Sequence, residues 1–412
     1  MKFVFWQNII SPHQAPFLRA LAGKGHEVTV VATEAMTPDR RALGWKVPDT
    51  GRCTIILAPG PEEIRSIVET GGQRTEAGAS QSAAHSPQSV VSGGDAIHIL
   101  AGARWTPLGE RATRLVIAQN RRIGILSETP DPRGLGGIAR RVKYTAERFA
   151  KGRHYDFILA MGEMGVRWFH RCGYPAKRLF PFAYVTESRE QKAEVKNEFQ
   201  VSGFMSPVSD FRPPTADLRC PGSVTILFVG RFVALKGVNI LLRAFASLQS
   251  PGIKLQLVGE GPEEPALHAL AGTLGISNSI EWLGGKPSAE IPGLMAKADA
   301  VVLPSHKDGW GAVVNESLMS GTPVICSTAC GAAELLDERW RGEVFAAGSV
   351  SALVAALQRR IAAGRLTPEA REKIKAWSTT IEGETVADYF LGIMRHVYAG
   401  GGRPEAPWRT KK

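Results

Sequence analysis

Short runs of β-branched and other apolar residues alternate with segments of helical periodicity along most of the chain. This alternation is typical of parallel sheets that are covered by helices on both faces. The runs form two series. The first is 3–9, 27–33, 54–58, 97–101, 123–127, 156–162 and a weaker run at 180–184, and the second is 224–230, 254–259, 280–283, 300–304, 324–327 and 342–345. The pattern predicts an α/β protein with two doubly wound parallel sheets.

The segment 187–222 separates the two series. It is polar and rich in proline, so no single helix or strand can span it. We therefore predict an N-terminal domain at 1–186, a connector at 187–222 and a C-terminal domain at 223–378, followed by an amphipathic helix at 379–399.

A second irregular segment, 71–94, interrupts the N-terminal domain. It is rich in Gly, Ser, Ala and Gln and has too few large apolar side chains for a core element. The composition predicts a flexible surface insertion there.

The composition is that of an ordinary globular protein. The 412 residues exceed what one core usually supports, and hydrophobic residues at 44% with charged residues at 22% argue against a disordered chain. No apolar run approaches the ~20 residues of a membrane-spanning helix. The five cysteines form no Cys-x-x-Cys pair, which argues against a disulfide scaffold or a zinc ribbon. We expect a cytoplasmic protein.

Basic residues are concentrated at 103–153. The chain has a net charge of +11, and this segment holds twelve basic residues against four acidic ones. Apolar residues recur in it at helical spacing: Ile138, Val142, Thr145, Ala146 and Phe149. Two interpretations are open: the apolar side of the helix packs on its own sheet, or the helix contacts an anionic membrane surface. The sequence contains neither an aromatic platform for single strands nor a zinc finger, so we do not expect nucleic acid as a partner.

Ligands of open α/β sheets bind beyond the carboxyl ends of the strands, where helix N-termini favour anions. The first such end in the C-terminal domain reads Val229-Gly230-Arg231, with Lys236 starting the next helix. Arg231 and Lys236 could converge on one diphosphate, or they could be two surface cations beside a turn.

A second strand end, Gly259-Glu260-Gly261, places an acidic residue between two glycines. Backbone could approach a ligand closely there, and a carboxylate could accept hydroxyl groups of a ribose. The spacing lacks the full Gly-x-Gly-x-x-Gly fingerprint, so an ordinary strand-to-helix turn stays open.

The third strand end is the richest in polar groups. A buried strand leads into a glycine-bracketed loop and then a helix predicted from about Gly311 to Ser320, with free N–H groups at its start. Asp308 and Glu316 are the carboxylates in range of an anion held there. Alternatively, Asp308 caps the helix and Glu316 is solvated.

Taken together, the three loops resemble retaining nucleotide-sugar glycosyltransferases of family 4, which have the GT-B fold of two Rossmann-like domains facing a cleft. The resemblance rests on VGR with Lys236-Gly237, on VGEGPE, and on PSHKDGWGAVVNESLMSGTPVICS. It covers 223–345 strongly and the first domain only in outline.

The resemblance implies a role for each matching position. Arg231 and Lys236 would neutralise the donor diphosphate, Asp308 would contact the transferred sugar, and Glu316 would bind the donor ribose. Donor contacts are further expected at Gly230, Gly261, Glu263, Leu283, Gly309, Trp310, Gly311, Ala312 and Val313.

Two positions depart from the family pattern. Asp308 replaces the usual first glutamate, and its shorter side chain puts the sugar contact in doubt. Trp310 stands where a smaller aromatic residue is common, which should reshape the sugar pocket.

On the acceptor side, the first strand is followed by a loop without glycine. His13 could reach the cleft from the start of a helix, or it could cap that helix. Glu128 follows a later strand and is the other candidate for acceptor contact.

The sequence thus predicts a retaining, metal-independent transferase of cell-surface polysaccharide biosynthesis, since no Asp-x-Asp metal motif occurs. No cofactor is expected. The partners would be a nucleotide-sugar donor, a glycan or lipid-linked acceptor and, through 103–153, the inner face of a membrane. The alternatives are a GT-B-like nucleotide-sugar epimerase and a non-catalytic module that binds anionic membranes.

Overall fold

The computed structural model describes residues 1–42, 45–72, 96–101, 106–186, 224–248 and 252–409. The chain divides into two compact units. Unit 1 comprises Met1–Tyr184 and Val386–Ala406, and unit 2 comprises Val185–Thr385 and Pro407–Lys412. The predicted connector at 187–222 lies outside the described residues, as does the predicted insertion from residue 73 onward.

Unit 1 contains a seven-stranded parallel sheet in the order β3-β2-β1-β4-β5-β6-β7. Its strands are β1 Lys2–Gln7, β2 Glu27–Ala32, β3 Thr54–Leu57, β4 Ile97–Ala101, β5 Arg122–Ser127, β6 Phe157–Met161 and β7 Leu179–Phe182. The central strands are buried along almost their whole length, as expected for a sheet covered on both faces.

The helices of unit 1 connect consecutive strands. They are α1 Ala15–Gly23, α2 Pro38–Ala42, α3 Pro61–Thr70, α4 Pro107–Ala118, α5 Gly134–Ala150 and α6 Gly162–Arg171. Several begin with proline in their first turn, where the missing N–H is not needed.

Unit 2 contains a six-stranded parallel sheet in the order β10-β9-β8-β11-β12-β13. Its strands are β8 Val224–Val229, β9 Ile253–Val258, β10 Ile280–Gly284, β11 Ala300–Leu303, β12 Val324–Ser327 and β13 Gly342–Phe345. The helices are α7 Val238–Ala246, α8 Glu264–Thr273, α9 Ile291–Lys297, α10 Ala312–Met319, α11 Val350–Ala362 and α12 Pro368–Ser378.

The last helix, α13 Gly383–Ala399, starts in unit 2 and continues in unit 1. In unit 1 the ring of Phe390 packs edge-on against Phe3, with the centroids 5.2 Å apart. The Tyr389 hydroxyl donates to the Pro181 carbonyl at 3.1 Å. These contacts attach the end of the chain to the core around β1 and β7.

The prediction of two parallel-sheet α/β units is confirmed, and each predicted run became a strand with ends shifted by at most two residues. Apolar runs between glycine and proline signals identify buried strands well because such strands are apolar on both faces. Among the described helices, none is long and apolar enough to cross a membrane.

The interpretation that the apolar residues of α5 pack on their own sheet is wrong for Ile138, Val142, Ala146 and Phe149, which are exposed, whereas Thr145 is half-buried. Leu135, Ile138, Val142 and Phe149 are all exposed. We call these four residues the apolar stripe of α5. The helix instead packs through other positions, among them the buried Gly137 and Glu147.

Candidate functional site

The sheet of unit 2 has a topological switch point between β8 and β11. From β8 the chain builds outward to β9 and β10 on one side, and to β11, β12 and β13 on the other. Loops that leave neighbouring strands in opposite directions open a crevice at the carboxyl edge of the sheet, where ligands of such folds bind. The loops after β8 and β11 carry Lys236 and Asp308.

Lys236 and Asp308 form an ion pair across this switch point. The Lys236 ammonium donates to Asp308 Oδ2 at 2.6 Å, and the two side chains are 27% and 14% exposed. The same loops are joined through backbone, because the N–H of His306 donates to the Leu235 carbonyl at 2.9 Å. An ammonium has three donors, so one bond to Asp308 leaves two for a ligand.

The backbone of Asp308 is held by the loop after β12. Its N–H donates to Ala329 at 2.9 Å, and its carbonyl accepts from Gly331 at 3.2 Å. Helix α10 has Gly311 as its N-cap, with no side-chain capping bond. The alternative in which Asp308 caps this helix is therefore wrong; its carboxylate faces Lys236.

Gly311 brings the start of α10 close to this pair. Its φ of 93° is a left-handed conformation, and a Cβ atom there would lie 2.6 Å from the Cys330 sulfur and 3.6 Å from Asp308 Cγ. Only glycine fits this position without strain. The first amide groups of α10 therefore begin beside the carboxylate that Lys236 contacts.

The loops after β8 and β9 are locked together by backbone bonds. The Phe232 N–H donates to Glu260 at 2.8 Å, and the Glu263 N–H donates back to Phe232 at 3.0 Å. A Cβ atom on Gly261 would lie 2.4 Å from the Phe232 carbonyl oxygen. Gly261 thus permits a close approach of two loops, whereas the sequence suggested a close approach to a ligand.

The Glu260 carboxylate has a structural partner. It accepts from the Gly285 N–H at 2.9 Å, which joins the loop after β9 to the loop after β10. Glu263 and Leu283, the predicted nucleoside contacts, are both half-buried at this end of the sheet. Arg231 is exposed, and it follows Gly230 just beyond β8.

Trp310 lies in the core of unit 2. Its side chain is 1% exposed, and its indole N–H donates to Asn315 Oδ1 at 2.8 Å. Its carbonyl accepts from the Ala332 N–H and from the Cys330 thiol, each at 2.8 Å. Trp310 therefore fixes the loop before α10 from the interior.

The remaining predicted donor contacts lie in or next to α10. Ala312 and Val313 are half-buried in its first turn, and Glu316 is half-buried one turn later, not fully solvated. The Gly309 carbonyl packs against Gly331, where a Cβ atom would approach it to 2.4 Å. Glycine at position 331 is therefore needed for this packing behind the loop.

Unit 1 contains a cluster of aromatic and charged side chains near the carboxyl ends of its strands. The His13 ring lies 5.6 Å from the ring of Trp45 and 5.6 Å from that of Tyr184. The Tyr184 hydroxyl donates to Glu128 at 2.5 Å, and the Arg40 guanidinium lies 4.9 Å from the Trp45 ring centroid. The cluster connects His13 with Glu128 through Tyr184.

The first helix of unit 1 settles one alternative for His13. The N-cap of α1 is Gln14, and no side chain forms a capping bond there. His13 is therefore an aromatic neighbour and not a cap. Burial, together with the Glu128 carboxylate, raises the pKa of Tyr184 well above its ordinary value, so the phenol stays protonated as a donor.

Sequence reasoning missed Tyr184, Trp45 and Arg40. The position of Tyr184 at the end of the last, weaker apolar run was an available signal, because it falls at the same edge of the sheet as Glu128. Arg40 lies in the short helix α2 and Trp45 lies in the loop that follows it, and only the folded chain brings Trp45 to His13 and Arg40 to Trp45.

Unit 2 matches a known family. Residues 219–377 fit the family model described as glycosyl transferases group 1, and this range includes Lys236 and Asp308. Residues 219–377 are thus similar to the glycosyl transferases group 1 family, and we refer to them as the group 1 domain.

Curated relatives of the group 1 domain include two bacterial proteins. A D-inositol 3-phosphate glycosyltransferase of Segniliparus rotundus is 31% identical over 200 residues, which cover 44% of this chain and 42% of the relative. The lipopolysaccharide core biosynthesis glycosyltransferase LpsE of Rhizobium meliloti is 30% identical over 173 residues, covering 41% of this chain and 49% of the relative. The chain spans less than half of the length of these relatives.

Solved structures show likeness over nearly the whole chain. Anabaena Alr3699/HepE in complex with UDP has a TM-score of 0.64 at 15% identity, covering 96% of this chain and 100% of that one. The apo form of the lipopolysaccharide outer core galactosyltransferase WaaB has a TM-score of 0.61 at 14% identity, covering 96% and 99%. The likeness confirms the predicted GT-B fold class, in which the group 1 domain is one of two α/β units.

In the described ranges, no three or more His, Cys, Asp or Glu side chains are grouped in a way that could hold a metal ion. The expectation that the group 1 domain works without a metal stays a prediction.

Proposed function

We propose that this chain is a retaining glycosyltransferase that moves a sugar from a nucleotide-sugar donor to a glycan or glycolipid acceptor in cell-surface polysaccharide biosynthesis. The match of residues 219–377 to glycosyl transferases group 1 supports the proposal of sugar transfer. One of the curated relatives is a glycosyltransferase of lipopolysaccharide core biosynthesis, and Alr3699/HepE has been solved in complex with UDP and with UDP-glucose. A uridine nucleotide is therefore the first donor class to test.

The observation that carries the proposal is the Lys236–Asp308 pair at the switch point, beside the N-terminus of α10. Departure of a nucleoside diphosphate places negative charge on the leaving phosphate as the bond from the sugar C1 to oxygen breaks. Fixed donors aimed at that charge lower the barrier. The ammonium of Lys236, held by Asp308, and the amides at Gly311, Ala312 and Val313 would supply such donors.

The other predicted donor residues complete this assignment. Arg231 would add a planar fork to the diphosphate, and Glu316 would bind the ribose. We assign Gly230, Gly309 and the backbone of Gly261 to the walls around the phosphates. Glu263 and Leu283 would flank the nucleoside. Trp310 acts from the core, by fixing the loop that presents these amides.

Asp308 has two tasks in this proposal. Its carboxylate orients the Lys236 ammonium, and it would also meet the transferred sugar. A carboxylate that is one methylene shorter than glutamate reaches less far, but its position is fixed by the backbone bonds on both sides of Asp308.

On the acceptor side, we assign the cluster of His13, Trp45, Tyr184 and Glu128 in unit 1. An aromatic face and an adjacent carboxylate can bind the apolar face and the hydroxyl groups of a sugar. Where the acceptor is lipid-linked, transfer would occur at a membrane surface.

The test is a panel of UDP-, GDP- and ADP-sugars, with nucleotide release and sugar transfer followed together. Retention of anomeric configuration in the product is read by NMR. Incubation with donor alone separates the alternatives, because an epimerase converts the donor without an acceptor. Transfer that persists in EDTA supports metal independence, which we infer from the absence of Asp-x-Asp in the sequence.

A variant pair makes this test specific. Lys236→Met should abolish transfer while the protein stays folded, whereas Lys254→Met, on an exposed position of β9, should not affect it. Undiminished turnover by Lys236→Met would remove the support for the proposed donor site.

A further inference from the structure

The apolar stripe of α5 faces solvent on an otherwise well-packed unit. Leu135, Ile138, Val142 and Phe149 are 85%, 62%, 65% and 78% exposed. Their spacing of three, four and seven residues places them on one side of the helix. Four large apolar side chains thus share one exposed helix face, and monomeric proteins rarely expose such a cluster without a function.

The opposite face of α5 is the one that packs on unit 1. Gly137 and Glu147 are buried, and the Glu147 carboxylate accepts from the Tyr155 hydroxyl at 3.0 Å. The Tyr144 ring packs edge-on against Trp168 and Phe169, each at 5.8 Å. The core contacts of α5 are therefore made by a face that excludes the apolar stripe.

Cationic residues border the apolar stripe. At about 100° per residue, Lys143 lies on one side of the stripe and Arg141 on the other, and both are exposed. Lys151 and Arg153 follow at the end of the helix. The one acidic residue of α5 is Glu147, which is on the buried face. The exposed side of α5 thus combines apolar side chains with a positive border.

We propose that α5 is a peripheral docking helix that lies in the plane of an anionic lipid surface. The apolar stripe would enter the boundary between headgroups and acyl chains, while Arg141 and Lys143 contact the anionic headgroups. The helix has 17 residues, so about 25 Å of it would lie along the surface.

The charges decide between a lipid surface and other occupants. A second copy of this chain would bring two positive borders together, which is repulsive. A nucleic acid would match the charge, but it would leave Leu135 and Phe149 without apolar partners. An anionic lipid surface satisfies both the charge and the apolar side chains. The proposal is independent of the proposed sugar transfer, although a lipid-linked acceptor would make such docking useful.

The experiment is cosedimentation of the full chain with vesicles of phosphatidylcholine, with or without phosphatidylglycerol. We expect binding to the anionic vesicles that weakens with salt, since exposed charges are screened over about 8 Å at physiological ionic strength. The double variant Leu135→Ser/Phe149→Ser should weaken binding by at least about tenfold, because it removes the two most exposed side chains of the stripe. Arg141→Gln/Lys143→Gln should weaken it by about fivefold per charge.

Matched controls change the same residue types elsewhere. Val47→Ser/Leu57→Ser alters two exposed apolar residues outside α5, and Lys254→Gln/Lys286→Gln removes two exposed charges from unit 2. Both should bind vesicles like the unmodified chain. All the altered side chains are exposed, so thermal unfolding should change little in any variant.

Three results would overturn the proposal. One is equal binding to vesicles with and without phosphatidylglycerol. Another is unchanged binding by Leu135→Ser/Phe149→Ser. The third is a dimer, seen by light scattering without lipid, that dissociates in this variant, because the stripe would then belong to a second copy. The vesicle assay contains no nucleotide sugar, so a negative result in it is distinct from a failure of sugar transfer.

Discussion

The substitution Lys236→Met probes the proposed donor site most directly. It keeps the length of the side chain and removes the ammonium that lies 2.6 Å from Asp308. A charge-assisted hydrogen bond to a phosphate contributes about 1.5 to 3 kcal/mol, so UDP affinity should fall by about 10- to 150-fold. The loss in transfer should be at least as large, because charge on the leaving diphosphate grows in the transition state.

The same substitution affects stability, since it leaves the Asp308 carboxylate without this partner. The pair is partly exposed, at 27% and 14%, and so lies between a surface pair and a buried one. We expect a loss of about 1 to 2 kcal/mol in the free energy of unfolding. This loss is small enough for the variant to stay folded at 25 °C in a protein of ordinary stability.

Asp308→Asn should act in the opposite direction on UDP. Unit charges about 6 Å apart interact by about 3 kcal/mol at an effective dielectric constant of about 20, and solvent screening reduces this further. Removal of the carboxylate should therefore tighten UDP binding by about fivefold or more. Transfer from the nucleotide sugar should nevertheless fall, because the proposed sugar contact and the orientation of Lys236 are both lost.

The assay is calorimetric titration with UDP and with inorganic pyrophosphate, paired with urea unfolding of each variant. Lys254→Met serves as the charge-matched control. The double variant Lys236→Met/Asp308→Asn separates binding from stability, because it removes the unpaired carboxylate but does not restore the ammonium. If folded Lys236→Met bound UDP and pyrophosphate as tightly as the unmodified chain, the switch point would not be the diphosphate site.

Three further predictions test other parts of the molecule. Gly311→Ala should destabilise unit 2 by about 2 to 4 kcal/mol in urea unfolding, since the φ of Gly311 is 93° and a Cβ atom there would lie 2.6 Å from a buried sulfur. The control Gly293→Ala should not destabilise unit 2, because a Cβ atom there meets nothing within 4 Å. Tyr184→Phe removes the hydroxyl that donates to the Glu128 carboxylate, so it should raise the KM for the acceptor several-fold and leave UDP affinity unchanged. A change in UDP affinity alone would contradict the assignment. Burial lowers the pKa of His98 from 6.5 to about 4, so the unfolded chain binds the extra proton first as the pH falls. Stability should therefore decline by up to about 3 kcal/mol between pH 6.5 and 4, and His98→Gln should flatten that slope; an equal slope in both proteins would assign it to other groups.

The strands were predictable because each buried parallel strand is a local apolar run with glycine or proline nearby. The helix start at Gly311 was predictable for the same reason, since a glycine precedes an apolar, periodic segment. The family resemblance of 223–345 then identified the loops that hold Lys236 and Asp308. It did not show that these two side chains bond to each other, because 72 positions separate them along the chain.

Side-chain partners were the part that the sequence did not reveal. The sequence left undecided whether Asp308 caps a helix. In the structure the loop after β12 holds its backbone, and its carboxylate contacts Lys236. The sequence also left undecided whether His13 caps α1, and in the structure its ring contacts Trp45 and Tyr184. Trp310 was expected in the sugar pocket and lies in the core. Local propensity does not decide such cases, because each depends on which distant loop is packed nearby.

The sequence alone determined the α/β class, the strand positions and the chemical character of the loops, since these depend on neighbouring residues and their periodicity. Tertiary structure decided which charges meet at the switch point and which face of α5 is buried. Periodicity shows that a helix has an apolar side, but the packing of Gly137, Tyr144 and Glu147 on unit 1 sets its rotation. That rotation leaves the apolar stripe in contact with solvent.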